Sequence, residues 1–217
     1  ERLVQERLGK YNLGGAPWVR PAAATGRRVV LVPGQVETDA AFIAQPGPVR
    51  SNLALLQAVR AAEPEAWVLY KPHPDVVAGL RRAGAGEADA SKWCNEVLTE
   101  VHTGQLLEGV DAVHVLSTLT GFEALLRGRE VVCHGLPFYA GWGLTKDHQA
   151  CSRRTRQLSL DALVAGALVC YPHYVSAHTG LPCEVEQVVD EIGEQARQAG
   201  RVIPPWRRWM RPWIRRD

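Results

Sequence analysis

Residues 28–34 read RVVLVPG, a β-branched apolar run that is closed by Pro-Gly. A short continuous run of this kind is typical of a strand buried in a parallel sheet. Comparable runs occupy residues 66–70, 111–116 and 130–134. The chain is therefore predicted to contain at least four buried strands.

Helical patterns separate these strands. Ser51-Asn52 offers an N-cap to a helix that carries Leu53, Leu56 and Val59 on one face. Further helices are expected over Asp75–Arg82, from Thr120 to Arg127 with Gly128 as the stop, and near Ser159–Val169 and Glu184–Gln198. Alternating strands and helices imply right-handed crossovers and a parallel sheet covered by helices on both faces. The predicted fold is a three-layer αβα member of the α/β class.

The composition is that of an ordinary globular protein, with 46% hydrophobic and 22% charged residues among 217. There is no apolar run of about 18 residues that would cross a membrane. Residues 1–27 begin with a charged stretch rather than a signal peptide, and are predicted to form a helical extension or linker that continues from a longer protein. Five cysteines without a CxxC pair indicate a reducing cytoplasm.

Charge is distributed unevenly along the chain. Residues 201–217 contain six arginines and one aspartate. The net charge of the whole chain is only +2, so the remaining residues carry a net negative charge. An acidic body argues against general nucleic-acid binding. We predict a main domain over 28–200 and a separate basic Trp/Arg tail over 201–217.

Two polar clusters follow predicted strands. Ser117, Thr118 and Thr120 begin a helix that also carries Glu123, and such hydroxyls and backbone N–H groups can hold phosphate or merely cap the helix. Lys71, His73 and Pro74 follow the second strand, where two prolines hold the segment extended. The segment that contains these residues is either a rigid turn, or it contacts the same phosphate as the Ser117–Thr120 cluster.

Two further segments carry candidate side chains. Gln35, Glu37 and Asp39 follow the first strand, and in an extended backbone the two carboxylates would point the same way, as a base or nucleophile, or simply as a polar loop. The loop at residues 137–143 offers Tyr139 and Trp142 to a sugar or base, or acts as a buried plug.

A zinc-like spacing is also present. Cys170, His173, His178 and Cys183 are spaced like a zinc knuckle, but prolines interrupt the segment and Cys170 is predicted to end an apolar helix. We expect no metal there.

The tail interleaves tryptophan and arginine. Trp206, Trp209 and Trp213 would share a face if the segment were helical, and residues 204–217 could then contact an anionic bilayer. A linker or a docking strip for a partner is the alternative.

Taken together, five segments resemble the capsule polysaccharide biosynthesis and export family, which includes the KpsC/LipA-type retaining β-Kdo transferases. These segments are VPGQVETDA, KPHPDV, STLTGFEALLRG, GLPFYAGWGLTKD and the later RR followed by SLDAL, which occur in order between about residues 10 and 188.

The resemblance implies one Rossmann-like lobe of a GT-B-like glycosyltransferase that uses CMP-Kdo as donor substrate, without a cofactor. It implies that His73-Pro74 and Ser117-Thr118 bind CMP, with Lys71 and Thr120 beside them. It also implies that Asp39 is the nucleophile, although Ala41 stands where the family has serine. Glu37 is the second candidate carboxylate. Gln35, Glu123, Tyr139 and Trp142 are expected to contact the sugar or the surrounding loops.

The implied partners are a lipid-linked saccharide acceptor and the capsule assembly and export proteins, at the cytoplasmic face of the inner membrane. Because 217 residues cover about one lobe, the isolated chain is expected to bind nucleotide without catalysing transfer. Two other functions compete with this one: a non-catalytic interaction module of the export machinery, and a sugar-nucleotide epimerase that uses a UDP-sugar.

Overall fold

The computed structural model describes residues 1–6, 8 and 17–199. Six parallel strands form the main sheet: β1 (Val29–Pro33), β2 (Trp67–Lys71), β3 (Glu96–Val97), β4 (Ala112–Val115), β5 (Glu130–Cys133) and β6 (Lys146–Asp147). Their order is β3-β2-β1-β4-β5-β6, with Val30 of β1 beside both Val68 of β2 and Ala112 of β4. This order is that of a Rossmann-like sheet, in which the direction of winding reverses between β1 and β4.

Eight α-helices are described: α1 (Arg2–Gln5), α2 (Ala40–Ile43), α3 (Asn52–Ala62), α4 (Pro74–Val77), α5 (Thr103–Gly109), α6 (Thr120–Leu126), α7 (Leu160–Val164) and α8 (Val185–Ala199). Short 3-10 turns occupy Ala22–Ala24 and Glu87–Lys92, and a π-helical segment, Ala165–Cys170, extends α7. An antiparallel hairpin of β7 (Tyr174–Val175) and β8 (Pro182–Cys183) precedes α8.

Two hydrophobic cores lie on opposite faces of the sheet. One is built around α3, with Leu55, Leu56 and Val59 packed near Val30 and Val32 of β1. The other is built around α5, α6 and α7 and contains Leu106, Phe122 and Leu163. All five residues of β1 are buried, as expected for a strand with helices on both sides. The predicted three-layer α/β fold is confirmed.

Several local predictions are also confirmed. The Ser51 hydroxyl accepts a hydrogen bond from Ala54 N at 3.0 Å and caps α3. Gly128 follows Arg127, the C-cap residue of α6, and adopts a φ of 66°, a conformation that side chains disfavour. The helices near 159–169 and 184–198 are present as α7 with its π extension and as α8.

The predicted helix over Asp75–Arg82 was wrong in length. Only α4, Pro74–Val77, is helical, because the backbone N–H of Leu80 and that of Arg81 both bond to Asp75 O and close the turn. The domain boundaries at residues 27 and 200 stay predictions. Arg2 of α1 pairs with Asp190 of α8 at 2.5 Å, so residue 2 contacts the last helix. The basic tail lies outside the described residues.

Candidate functional site

A cavity of about 450 Å³ opens at the carboxyl edge of the main sheet. Its walls are the segments that directly follow β1, β2 and β4, together with the start of α5 and the length of α6. The segments after β1 and β4 flank the point at which the sheet reverses its winding. Open parallel sheets bind ligands in this crevice.

Nine of the residues selected from the sequence line this cavity. They are Gln35, Asp39, Lys71, His73, Pro74, Ser117, Thr118, Thr120 and Glu123. The topology brings them together, since they follow strands that end at the same edge of the sheet. Glu37, Tyr139 and Trp142 are not among the lining residues.

Gln35 and Ser117 join the two strand ends at the winding reversal. Gln35 Oε1 accepts a hydrogen bond from Ser117 N at 3.0 Å, and Gln35 Nε2 donates to Ser117 Oγ at 2.9 Å. The glycine before Gln35 lets the chain pass close to β2, because a Cβ on Gly34 would lie 2.6 Å from the Tyr70 hydroxyl oxygen. Ser117 is therefore held in place by the loop after β1.

Lys71 and His73 bring cationic and imidazole groups to the cavity. Lys71 is the last residue of β2, and burial lowers the pKa of its amino group. His73 is the N-cap of α4, and its Nδ1 accepts a hydrogen bond from Asp75 N at 3.2 Å. A neutral His73 ring with Nδ1 as acceptor carries its proton on Nε2. The cavity thus contains hydrogen-bond donors suited to an anionic ligand.

Thr118 is fixed from both sides. Its Oγ1 donates to Thr120 Oγ1 at 3.2 Å and accepts from Thr120 N at 3.3 Å, while its carbonyl accepts from the Tyr139 hydroxyl at 2.6 Å. Tyr139 is fully buried, and the ring lies so close to α6 that a Cβ on Gly121 would be 2.2 Å from its hydroxyl oxygen. Tyr139 therefore supports the cavity wall from behind, as the plug interpretation of this loop expects.

Trp142 does not line the cavity either, and its polar contacts are within the surrounding loops. Its Nε1 donates to Phe138 O at 2.7 Å, and the Arg154 guanidinium lies over its ring at 5.6 Å from the centroid. Phe138, from the same loop, does line the cavity and is 44% exposed. The aromatic side chain that this loop presents to a ligand is Phe138.

The two candidate carboxylates point in different directions. Asp39 lines the cavity and forms an ion pair with Arg81 at 3.2 Å. Glu37 Oε1 instead accepts from Asn52 N at 2.6 Å, and its Oε2 accepts from Ala85 N at 3.1 Å. The expectation that both face the same way was wrong because residues 37–39 form a turn rather than extended backbone.

Several lining residues were not selected from the sequence. His102, Thr103 and Gly104 enter from the start of α5, and Arg127 enters from the end of α6. Leu106, Leu107 and Val110 have helical spacing, which was the available signal for α5. The cavity is lined by Lys71, His73, Asp39 and Glu123. It therefore combines an amino group and an imidazole, which suit an anion, with carboxylates for acid, base or nucleophilic chemistry.

The zinc-like segment is spread over several elements. Cys170 ends the π-helical segment, Cys183 lies in β8, and His178 is 3.8 Å from Glu191 of α8. Within residues 1–6, 8 and 17–199, no three His, Cys, Asp or Glu side chains are grouped so that they could hold a metal ion.

Curated proteins that are similar to this chain have names that refer to bacterial surface polysaccharides. The capsule polysaccharide modification protein LipA of Neisseria meningitidis is 44% identical over 177 residues, which are 82% of this chain and 25% of LipA. The lipopolysaccharide-processing protein LpsZ of Rhizobium meliloti is 40% identical over 182 residues, which are 84% of this chain and 41% of LpsZ. The chain thus spans less than half the length of these relatives.

Solved structures with the same fold come from KpsC of Thermosulfurimonas dismutans. Its β-Kdo 2,7 transferase is 38% identical, with a TM-score of 0.73 over 89% of this chain and 59% of that one. Its β-Kdo 2,4 transferase is 30% identical, with a TM-score of 0.74 over 88% of this chain and 60% of that one. These matches are consistent with one lobe of a GT-B-like enzyme.

The family model described as capsule polysaccharide biosynthesis protein matches residues 11–180. This range includes every residue that lines the cavity apart from Leu8, and it ends in the turn between β7 and β8. The chain belongs to the capsule polysaccharide biosynthesis protein family, together with KpsC and LipA.

Proposed function

We propose that the cavity binds the CMP portion of CMP-Kdo and that the protein transfers Kdo to a lipid-linked saccharide acceptor. One observation carries this proposal: the Ser117 hydroxyl, Lys71 and His73 meet in one cavity that also contains Asp39. The first three suit a phosphate, and the fourth suits a reacting sugar carbon. The similarity to KpsC β-Kdo transferases supports Kdo as the sugar.

The proposed chemistry is a double displacement. The Asp39 carboxylate attacks the anomeric carbon of Kdo as the bond to the CMP phosphate oxygen breaks, and CMP leaves with the electron pair. An acceptor hydroxyl then attacks the same carbon, the Asp39 carboxylate leaves with its electron pair, and the hydroxyl proton passes to water, which restores the original configuration. Lys71 and His73 would stabilise the charge that develops on the departing phosphate.

Asp39 is placed well for the first step because its carboxylate lines the cavity and is about half exposed. Its pairing with Arg81 keeps the carboxylate oriented at the mouth without burying it. Ala41, which stands where the family has serine, also lines the cavity. The missing hydroxyl removes one hydrogen-bond donor near the proposed nucleophile.

We propose further that the protein works at the inner face of the cytoplasmic membrane, beside a lipid-linked acceptor and the capsule export proteins. No helix in the described part of the chain is both long and apolar enough to cross a bilayer. The basic tail, residues 204–217, is our candidate for contact with the membrane because it combines tryptophan with arginine.

Nucleotide-dependent melting of the full chain tests the donor. We expect CMP to raise the melting temperature, with UDP and ADP having little effect. At a hundred times its dissociation constant a ligand adds about 2.7 kcal/mol of stability. His73→Ala and Ser117→Ala should weaken CMP binding and so reduce the shift, and exposed His173→Ala is the matched control that should retain it in full.

Other outcomes point to the rival functions. Stabilisation by UDP rather than CMP would favour the epimerase, and no response to any nucleotide would favour an interaction module. Full stabilisation of both cavity variants by CMP would show that the nucleotide binds elsewhere.

A further inference from the structure

Asn52 is a polar residue buried beside the cavity without lining it. It is only 1% exposed and occupies the first turn of α3. Its Oδ1 accepts from Gln35 N at 3.0 Å, and its Nδ2 donates to Gln35 O at 2.8 Å. The Asn52 side-chain amide thus pairs with both the backbone N–H and the backbone carbonyl of Gln35. These two hydrogen bonds fix the position of Gln35 after β1.

The side chain of Gln35 makes a similar pair of hydrogen bonds to Ser117. Its side-chain amide pairs with both Ser117 N and Ser117 Oγ. A serine hydroxyl has a single hydrogen to donate. Because Ser117 Oγ accepts from Gln35 Nε2, that hydrogen is directed away from Gln35 and is available to a ligand oxygen.

We propose that Asn52 and Gln35 are positioning residues that orient the Ser117 hydroxyl as a donor to a phosphate oxygen of the bound nucleotide. This inference rests on the proposed function. It assigns Gln35 a role through Ser117 rather than as a direct contact of the sugar. Glu37 anchors the same chain of hydrogen bonds, since it accepts from Asn52 N.

We would measure the binding of CMP and of cytidine to the full chain by titration calorimetry. Comparing the two ligands separates the contribution of the phosphate from that of the base and ribose. Gln35→Met keeps the length of the side chain but removes both hydrogen bonds. We expect it and Ser117→Ala each to weaken CMP binding about tenfold, the equivalent of one hydrogen bond to a charged group. Cytidine binding should change less than about twofold, because cytidine has no phosphate.

The double variant distinguishes a relay from two independent contacts. If Gln35 acts through Ser117, Gln35→Met should have little further effect once Ser117 is alanine. Losses that multiply in the double variant would show that Gln35 contacts the ligand itself and would overturn the assignment. So would CMP binding by Gln35→Met within twofold of the unmodified chain.

Gln35→Glu provides a second test if Gln35→Met folds poorly. Glutamate still accepts from Ser117 N, but it has no N–H, so the Ser117 hydroxyl turns to donate to residue 35 instead of the ligand. We expect CMP binding to weaken more than in Gln35→Met, and unchanged binding would contradict the relay.

Gln45→Met is the matched control. Gln45 also links two segments, since its side chain donates to Ala41 O of α2 and accepts from Leu136 N, but neither partner is a polar side chain of the cavity. Melting temperatures without ligand identify any variant that is merely unstable. Failure of the unmodified chain to bind CMP would refute the proposed function and this assignment with it, whereas normal CMP binding with insensitive variants refutes the relay alone.

Discussion

Glu37 and Asp39 lie two residues apart but differ in their surroundings. Glu37 accepts hydrogen bonds from two backbone N–H groups in separate segments, Asn52 N and Ala85 N. Asp39 is about half exposed, and its partner Arg81 is equally exposed. A carboxylate that holds two loops together contributes stability, whereas one at an open cavity is available for chemistry.

The two carboxylates should therefore respond differently to amide substitution. Glu37→Gln should lower the free energy of unfolding by about 1–3 kcal/mol, because an amide nitrogen cannot accept the second hydrogen bond. Asp39→Asn should change it by less than about 0.5 kcal/mol, since exposed ion pairs contribute little. Urea denaturation measures both.

Transfer activity in the context of the whole protein is the complementary measurement. We expect Asp39→Asn to lose transfer while CMP still binds. Loss of transfer in Glu37→Gln at full stability, with Asp39→Asn active, would identify Glu37 as the nucleophile instead.

Individual residues of the cavity are predicted well from the sequence where they lie at the end of a strand or directly after it. Lys71, His73 and Ser117 share an edge because parallel strands all end there. Tyr139 and Phe138 are adjacent aromatic residues, and one is buried while the other lines the cavity. Which of them faces the ligand depends on packing against α6, and no local pattern encodes that choice.

A buried histidine pair consists of His114 in β4 and His134 directly after β5. His114 Nδ1 lies 3.1 Å from His134 Nε2, and His114 Nε2 lies 3.3 Å from Glu63 Oε1. His148 stacks on the far side of His134, with centroids 4.4 Å apart. Both members of the pair are less than 5% exposed.

Burial keeps this pair neutral. It lowers the pKa of His114 to about 4, with the nearby Arg28 guanidinium adding to the effect. Burial and the neighbouring rings of His114 and His148 lower the pKa of His134 to about 3. Arg28, Glu130 and Lys146 complete the charged surroundings, through ion pairs of Glu130 with Arg28 and with Lys146.

Acidification should therefore destabilise the fold. In the unfolded chain a histidine takes up a proton near its ordinary pKa of about 6.5, whereas the folded chain resists until far lower pH. Stability should be lost as pH falls from about 6.5 towards 4, by about 1–2 kcal/mol per buried histidine between pH 7 and 5.

Urea unfolding at pH 7, 6 and 5 measures this slope. His134→Phe, which retains an aromatic ring beside His148, should make the slope shallower, while the exposed His173→Ala should leave it unchanged. An unfolding free energy that stays constant from pH 7 to 5 would contradict a neutral buried pair.

Strands and helices were predicted correctly from the sequence where their apolar pattern extends over enough residues. The four long strands lie in mainly apolar runs, and their residues could be assigned from the sequence. Strands β3 and β6 have two residues each, too few to show any periodicity. The helix α4 ends early because backbone N–H groups of residues 80 and 81 turn back to Asp75 O, a tertiary choice that the apolar pattern does not record.

At the scale of the whole molecule, the strand order and the cavity are linked. The order β3-β2-β1-β4-β5-β6 creates one winding reversal, and the cavity lies there. The sequence predicted a parallel sheet but not this order, since pairing between distant strands depends on contacts that no single segment contains. The cluster of site residues was nonetheless predictable because every parallel order gathers strand ends at one edge.

The tail supplies the last prediction at this scale. Residues 204–217 combine three tryptophans with five arginines, each of which contributes about 1 kcal/mol near an anionic bilayer. We expect the chain to sediment with vesicles that contain anionic lipid, less so as salt rises, and not after deletion of 204–217. Neutral vesicles are the control, and equal pelleting of the truncated chain would assign the tail to a linker or partner contact.

The two edges of the main sheet have a bearing on self-association. Each described edge strand is only two residues long, with Glu96 on one and Lys146 on the other. Trp18 and Trp67 both donate indole N–H groups to the Glu96 carboxylate, which closes off the β3 side further. Short, charged edges give a neighbouring molecule little backbone to pair with. At high concentration the folded sheet should therefore resist growth by strand addition, and fibrils would have to start from unfolded chains.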